Sequence, residues 1–193
     1  MTNKKLSNYF SLQRRYSRSI NLERDLENVE SLEGYILTKR AIESLERILT
    51  AFTSEEGNRA WTLTSVYGTG KSAFAHYLIS LCANSKNKMY AQAFSIAEEA
   101  LGKESDICQL IKQKINSKGL IRAVATGQRE PISHTIVRAL LIGIHSFWTA
   151  AQRNKINVVD KLVNLEAKID NGELIDSREI PDLVLEVAKE SKT

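Results

Sequence analysis

Gly68-Thr69-Gly70-Lys71-Ser72 puts two flexible backbone positions, a primary amine and a hydroxyl within one short turn of chain. That combination suits a polyphosphate. Such a ligand needs several backbone N–H groups turned inward, and glycine lets the chain curl that tightly without a Cβ clash. Lys71 can span the terminal phosphates, and a hydroxyl at Ser72, in the first turn of a following helix, can ligate a Mg²⁺ that bridges two of them. The expected cradle is Ser65, Val66, Tyr67, Gly68, Thr69, Gly70, Lys71, Ser72 and Ala73, with Lys71 as the catalytic group, Ser72 as the metal ligand, and ATP and Mg²⁺ as cofactors. The spacing follows G-x-x-x-x-G-K-[ST] except that Ser65 stands at the first glycine. The same residues also read as a plain surface turn between a strand and a helix.

Positioning such a loop takes an element on each side. Ala60-Trp61-Thr62-Leu63-Thr64-Ser65-Val66 has the composition of a strand, and Ala73 to Ala83 that of an apolar helix whose positive end faces the anion. Leu120-Ile121-Arg122-Ala123-Val124-Ala125 is a second strand candidate, closed by Thr126 to Pro131. In open α/β sheets ligands gather at the carboxyl ends of strands. That rule puts Thr126, Gln128, Arg129 and Glu130 on the rim shared with Lys71, with Arg129 reaching phosphate charge or Glu130 a water. Capping of the next helix is the other reading of Gln128 to Pro131. Upstream, Gly34-Tyr35-Ile36-Leu37 could line a slot for the base, with Tyr35 as its aromatic wall, or could pack against the sheet edge.

The remaining chain reads as helix. Thr38 is a suitable N-cap for a stripe of Ala41, Ile42, Leu45, Ile48, Leu49 and Phe52, broken by Thr53 to Asn58. Met89–Ala100 and Asp106–Ile115 form two short amphipathic patterns, a helical insert, and Ile132 to Trp148 forms a long apolar one with Pro131 suited to its first turn. Two more follow between Asn154 and Lys189, interrupted by Asp170-Asn171-Gly172. Nine glycines and two prolines among 193 residues agree with a helix-rich chain. A hydrophobic content of 42% excludes wholesale disorder, and a net charge of +4 is too small to argue for nucleic acid by itself. The cluster Arg14-Arg15-Tyr16-Ser17-Arg18 suits a nucleic-acid backbone or a solvated arm. Cys82 and Cys108 fall on apolar helical faces, as free buried thiols of a reducing compartment would. No apolar run reaches the ~20 residues of a membrane span, and the basic N-terminus lacks an apolar signal core, so a cytoplasmic location is expected.

Hydrolysis at a phosphate loop ordinarily adds an Asp at the end of an apolar strand. Ile156-Asn157-Val158-Val159-Asp160 is the nearest match and Leu174-Ile175-Asp176 a shorter one. Ser19-Ile20-Asn21-Leu22-Glu23-Arg24-Asp25, Gly34-Tyr35-Ile36-Leu37-Thr38, Ala60-Trp61-Thr62-Leu63 with the loop, and Leu120 to Arg138 together resemble the N-terminal part of large AAA-like P-loop ATPases of bacterial anti-phage defence and mobile-element gene clusters. The resemblance covers roughly residues 16–148, and the loop is its specific motif. It implies ATP and Mg²⁺ binding, hydrolysis coupled to conformational change, self-association or partner subunits, and action on DNA. The expected fold is an α/β P-loop NTPase core, AAA-like and helix-rich, with an incomplete parallel sheet. An arm (1–33), a partial nucleotide-binding domain (34–150) and a helical C-terminal segment (151–193) divide the chain. The expected function is an ATP-binding and ATP-hydrolysing module. A truncated helical interaction protein with a vestigial site is the alternative, and a small-molecule kinase is a third reading.

Overall fold

The computed structural model describes residues 19–52, 57–58, 60–115 and 117–192. Within them a 3₁₀ turn, Val29–Leu32, precedes helices α1 (Lys39–Ala51), α2 (Lys71–Leu81), α3 (Lys88–Leu101), α4 (Asp106–Lys114), α5 (Ile132–Phe147), α6 (Ala150–Arg153), α7 (Asn157–Asp170) and α8 (Glu179–Glu190). Capping residues fix several of the starts. Thr38 Oγ1 accepts from the Ala41 amide, Asn87 Oδ1 from Met89 and Ser105 Oγ from Cys108, each satisfying an amide that lacks a helical partner. The stripe of α1 buries Leu45, Ile48 and Leu49 as its periodicity predicts.

Burial divides into two apolar clusters. The first gathers α1 to α4 and the 3₁₀ turn around Leu32, Leu45, Leu49, Tyr77, Leu81, Met89 and Ile111. The second gathers α5, α7 and α8 around Val137, Ile144, Leu162, Leu165 and Val187. The principal packings, α1–α4, α2–α3 and α3–α4 on one side and α5–α7, α5–α8 and α7–α8 on the other, lie within a cluster. Thus α5 packs with the C-terminal helices rather than on the loop-bearing ones.

The expected α/β P-loop NTPase core with its parallel sheet is not formed: the chain is helical, and no strand occurs among the described residues. A strand exists through its hydrogen-bonded neighbour, and the β preference of Trp, Thr and Val is expressed only against one. Ala60 to Val66 is exposed throughout and makes no ladder among the described residues. The run 120–126 is satisfied elsewhere. The Leu120 amide donates to the Cys82 carbonyl at 2.8 Å and the Thr126 amide to Glu23 Oε1 at 2.7 Å. Close backbone approach holds this run between the end of α2 and α5. A Cβ on Gly119, at φ +78°, would lie 2.6 Å from the Ala83 carbonyl carbon, and one on Gly143 would lie 3.0 Å from the Arg122 carbonyl. Both thiols are buried and free, and burial pushes Cys82 up to about 11, so it is unreactive at neutral pH. The basic cluster Arg14 to Arg18, the turn residues 53–56 and Arg59 lie outside the described residues.

Candidate functional site

The glycine turn leading into α2 has the backbone its composition demands. Gly68 and Gly70 lie at φ +82° and +86°, a region that costs an L-residue about 1–2 kcal/mol. A Cβ on either would meet nothing within 4 Å, so conformation rather than packing asks for glycine, and the space beside both is open. Gly70 is also the N-cap of α2 and offers no side chain to its amides. The first-turn N–H groups, at the positive end of the helix dipole, are therefore left without a side-chain cap.

Side chains tie the turn shut from within. Ser65 Oγ and Thr69 Oγ1 are 2.6 Å apart, and Thr69 Oγ1 donates to the Val66 carbonyl at 2.8 Å. Ser65, where the motif has glycine, is thereby a brace of the loop. Lys71 folds back over it, its Nζ donating to the carbonyls of Ser65 and Val66 at 2.9 Å each. Those acceptors are neutral, so the ammonium is held in place but not cancelled. Val66 and Tyr67 form the outer rim, 77% and 93% exposed. Ser72 is exposed on the first turn beside Ala73. Among the described residues no group of three or more His, Cys, Asp or Glu side chains could hold a metal. A Mg²⁺ here would take Ser72 Oγ, phosphate oxygens and water, the way Mg²⁺ is held at nucleotide sites.

The other expected site residues lie apart from the loop. Tyr35 stacks on Tyr77, ring centroids 5.0 Å apart, inside the first cluster, and burial pushes its hydroxyl up to about 12. Tyr77 follows Lys71 by six residues, about 9 Å along α2, so Tyr35 supports the helix rather than walling a base slot. Arg129 is exposed in the bend before α5, with no hydrogen bond or ion pair among the described residues. Glu130 is committed to structure. It accepts from Arg138 Nη2 and Thr135 Oγ1 at 2.8 Å each and pairs with His134. The Arg138 and Thr135 bonds, in that order, hold its carboxyl below the usual range. Asp160 lies exposed on α7, whose Val158 and Val159 are buried in the second cluster. Asp176 Oδ1 accepts from the Arg178 amide just ahead of α8. Neither carboxylate stands at the end of a strand.

A polar seam that no local sequence motif announces joins the two clusters. The segment Asn21 to Glu27 sends alternate residues into it. Glu23 accepts from the Thr126 amide and pairs with Arg138 at 3.4 Å. The Asp25 carbonyl accepts from His76 Nε2 at 2.7 Å, and Glu27 pairs with Arg122 and accepts from Ser146 Oγ at 3.0 Å. His76 is 1% exposed. Because a carbonyl is its partner, its Nε2 carries the proton and Nδ1 is the acceptor, left without a partner among the described residues. Burial lowers its pKa, against an upward pull from the Asp25 bond. Glu23 and Glu27 enter the seam by their carboxylates and Asp25 between them by its backbone carbonyl, while its carboxylate pairs with Arg24.

Comparison of the chain with protein-family models, with curated proteins and with solved structures gave no match. Among the described residues no helix is long and apolar enough to cross a membrane. The loop therefore has to be judged on its own chemistry. Among the described residues it presents an amine met by neutral acceptors, helix-start amides without a side-chain cap and open space beside Gly68 and Gly70, a surface complementary to a multiply charged anion.

Proposed function

We propose that this chain binds a nucleoside triphosphate with Mg²⁺, ATP foremost, on the loop Ser65 to Ser72 and the start of α2. The observation that carries the reading is the position of Lys71 Nζ, spanning the turn on two neutral carbonyls at 2.9 Å, so that a phosphate oxygen can replace them without unfolding anything. In this reading the amides of Gly68 to Ser72 hold phosphate oxygens, Lys71 neutralises the terminal phosphates and Ser72 Oγ joins the Mg²⁺ shell. ATP supplies the charge and the reactive phosphoanhydride.

A second reading, nucleotide holding without turnover, is favoured by the placement of Asp160 and Asp176 on or beside C-terminal helices that pack in the second cluster. Hydrolysis would need a carboxylate beside the metal or the attacking water, and neither of these supplies it.

Titrating the chain with Mg–ATP by calorimetry tests binding. Wild type saturates at one equivalent, and Lys71→Ala weakens binding by about 100-fold or more, equivalent to losing one or two charge-assisted hydrogen bonds. Equal affinity in the two proteins would refute the reading. Phosphate release from the same samples separates the holding device, with no turnover, from an ATPase.

A further inference from the structure

We infer that Asn21 to Glu27 is a latch that carries the occupancy of the loop to the C-terminal helices; the inference rests on the nucleotide reading above. The latch grips α2 where His76 Nε2 donates to the Asp25 carbonyl at 2.7 Å, with Ser31 Oγ 3.3 Å from the same nitrogen. His76 follows Lys71 on the same rigid helix, so a shift of the helix start toward bound phosphate moves the Asp25 carbonyl with it. On either side of Asp25 the segment grips the second cluster. Glu23 holds the Thr126 amide and Arg138 of α5, and Glu27 holds Arg122 and Ser146 of α5. Asn87 Nδ2, at the start of α3, adds a bond to Glu27 at 3.1 Å.

Two features suit a joint that opens. The apolar clusters are separate, so parting their seam opens neither core; besides the hydrogen bonds and ion pairs it exposes little more than Leu26 of the latch and Val124, which are buried and belong to neither cluster. The seam is also incompletely paired among the described residues: Arg122 Nη1 and Arg138 Nε are buried there with no hydrogen-bond partner. A permanent joint ordinarily satisfies such groups, and an unsatisfied one lowers the cost of parting. Nucleotide binding that rigidifies α2 thus tightens the seam through Asp25, and by reciprocity a tight seam favours nucleotide.

Amide hydrogen exchange on the full chain, with and without Mg–ATP, tests this in wild type and in the double variant Glu23→Ala/Glu27→Ala. In wild type, Mg–ATP slows exchange in α2 and also in α5 by about fivefold or more, the lower end of allosteric couplings. In the double variant the α2 protection persists and the α5 protection is lost. Glu23→Gln, which keeps the side-chain shape, gives an intermediate α5 response and serves if the double variant does not fold. Protection confined to α2 in wild type, or α5 protection undiminished in the variants, overturns the latch and leaves the nucleotide site standing. No protection anywhere removes the site and the latch together.

Discussion

The loop and the seam both hold cations, on opposite terms. In the loop, Lys71 is met by two backbone carbonyls, which orient it and leave its charge whole. In the seam, Arg122 and Arg138 are met by the carboxylates of Glu27, Glu23 and Glu130, which cancel them. A cancelled cation is architecture, because removing one partner strands the other, whereas an uncancelled one beside open space invites an anion. The distinction separates residues that hold the molecule from residues that hold a ligand, and each of the following changes presses on it.

The largest effect on stability is expected at the seam. Arg138→Met leaves Glu23 and Glu130 without their cation. Breaking a fully buried pair is strongly destabilising; here Arg138 and Glu130 are 23% and 14% exposed, so solvent screens part of the loss, and the variant is expected to unfold at a clearly lower urea concentration than wild type. Urea unfolding measures it. If the seam is architecture, the same variant weakens Mg–ATP by about fivefold, the reciprocal of the coupling through the latch, and far less than Lys71→Ala does. A loss as large as that of Lys71→Ala would erase the distinction between the two regions.

Next in size is Gly70→Ala. Its φ of +86° predicts a cost of about 1–2 kcal/mol with no steric clash, read in the same unfolding experiment. Nucleotide affinity falls with it, because the alanine pulls the turn out of the geometry that aims its amides. An alanine as stable as wild type would mean that the turn relaxes freely and is no preformed cradle.

The smallest effect is a pH slope. His76 is buried neutral, with its folded pKa below its unfolded value near 6.5. Its share of stability is therefore complete above pH ~6.5 and lost as pH falls from there toward the folded pKa, since the unfolded chain takes the proton first. In His76→Gln that part of the slope disappears, and Gln can keep a donor toward the Asp25 carbonyl. An unchanged pH profile in the variant would show that His76 does not carry the slope.

What could be read from sequence follows from how local each feature is. The α1 stripe and its cap Thr38 are decided within a few residues, and the helix stands where they put it, with Leu45, Ile48 and Leu49 buried and Phe52, just past its end, exposed. The loop was legible for the same reason, since left-handed glycines and an adjacent lysine need no distant partner. A strand is decided by its neighbour. Trp61 to Val66 has the composition of one, yet no ladder forms along it among the described residues. The seam joins Glu27 to Arg122 and Glu23 to Arg138 across 95 and 115 residues of chain, and no local pattern reports that distance. Glu130 illustrates the confusion this causes: its place beyond a strand candidate suggests an acid that reaches a water, while Arg138, two turns along α5, holds it in the fold.

The most direct test is where Lys71 goes when nucleotide is present. A crystal structure with Mg²⁺ and a non-hydrolysable ATP analogue should show Nζ detached from the Ser65 and Val66 carbonyls and bonded to a terminal phosphate oxygen, with the amides of Gly68 to Ser72 turned onto the same phosphates. Nucleotide bound elsewhere, with Lys71 still resting on the two carbonyls, would contradict the account.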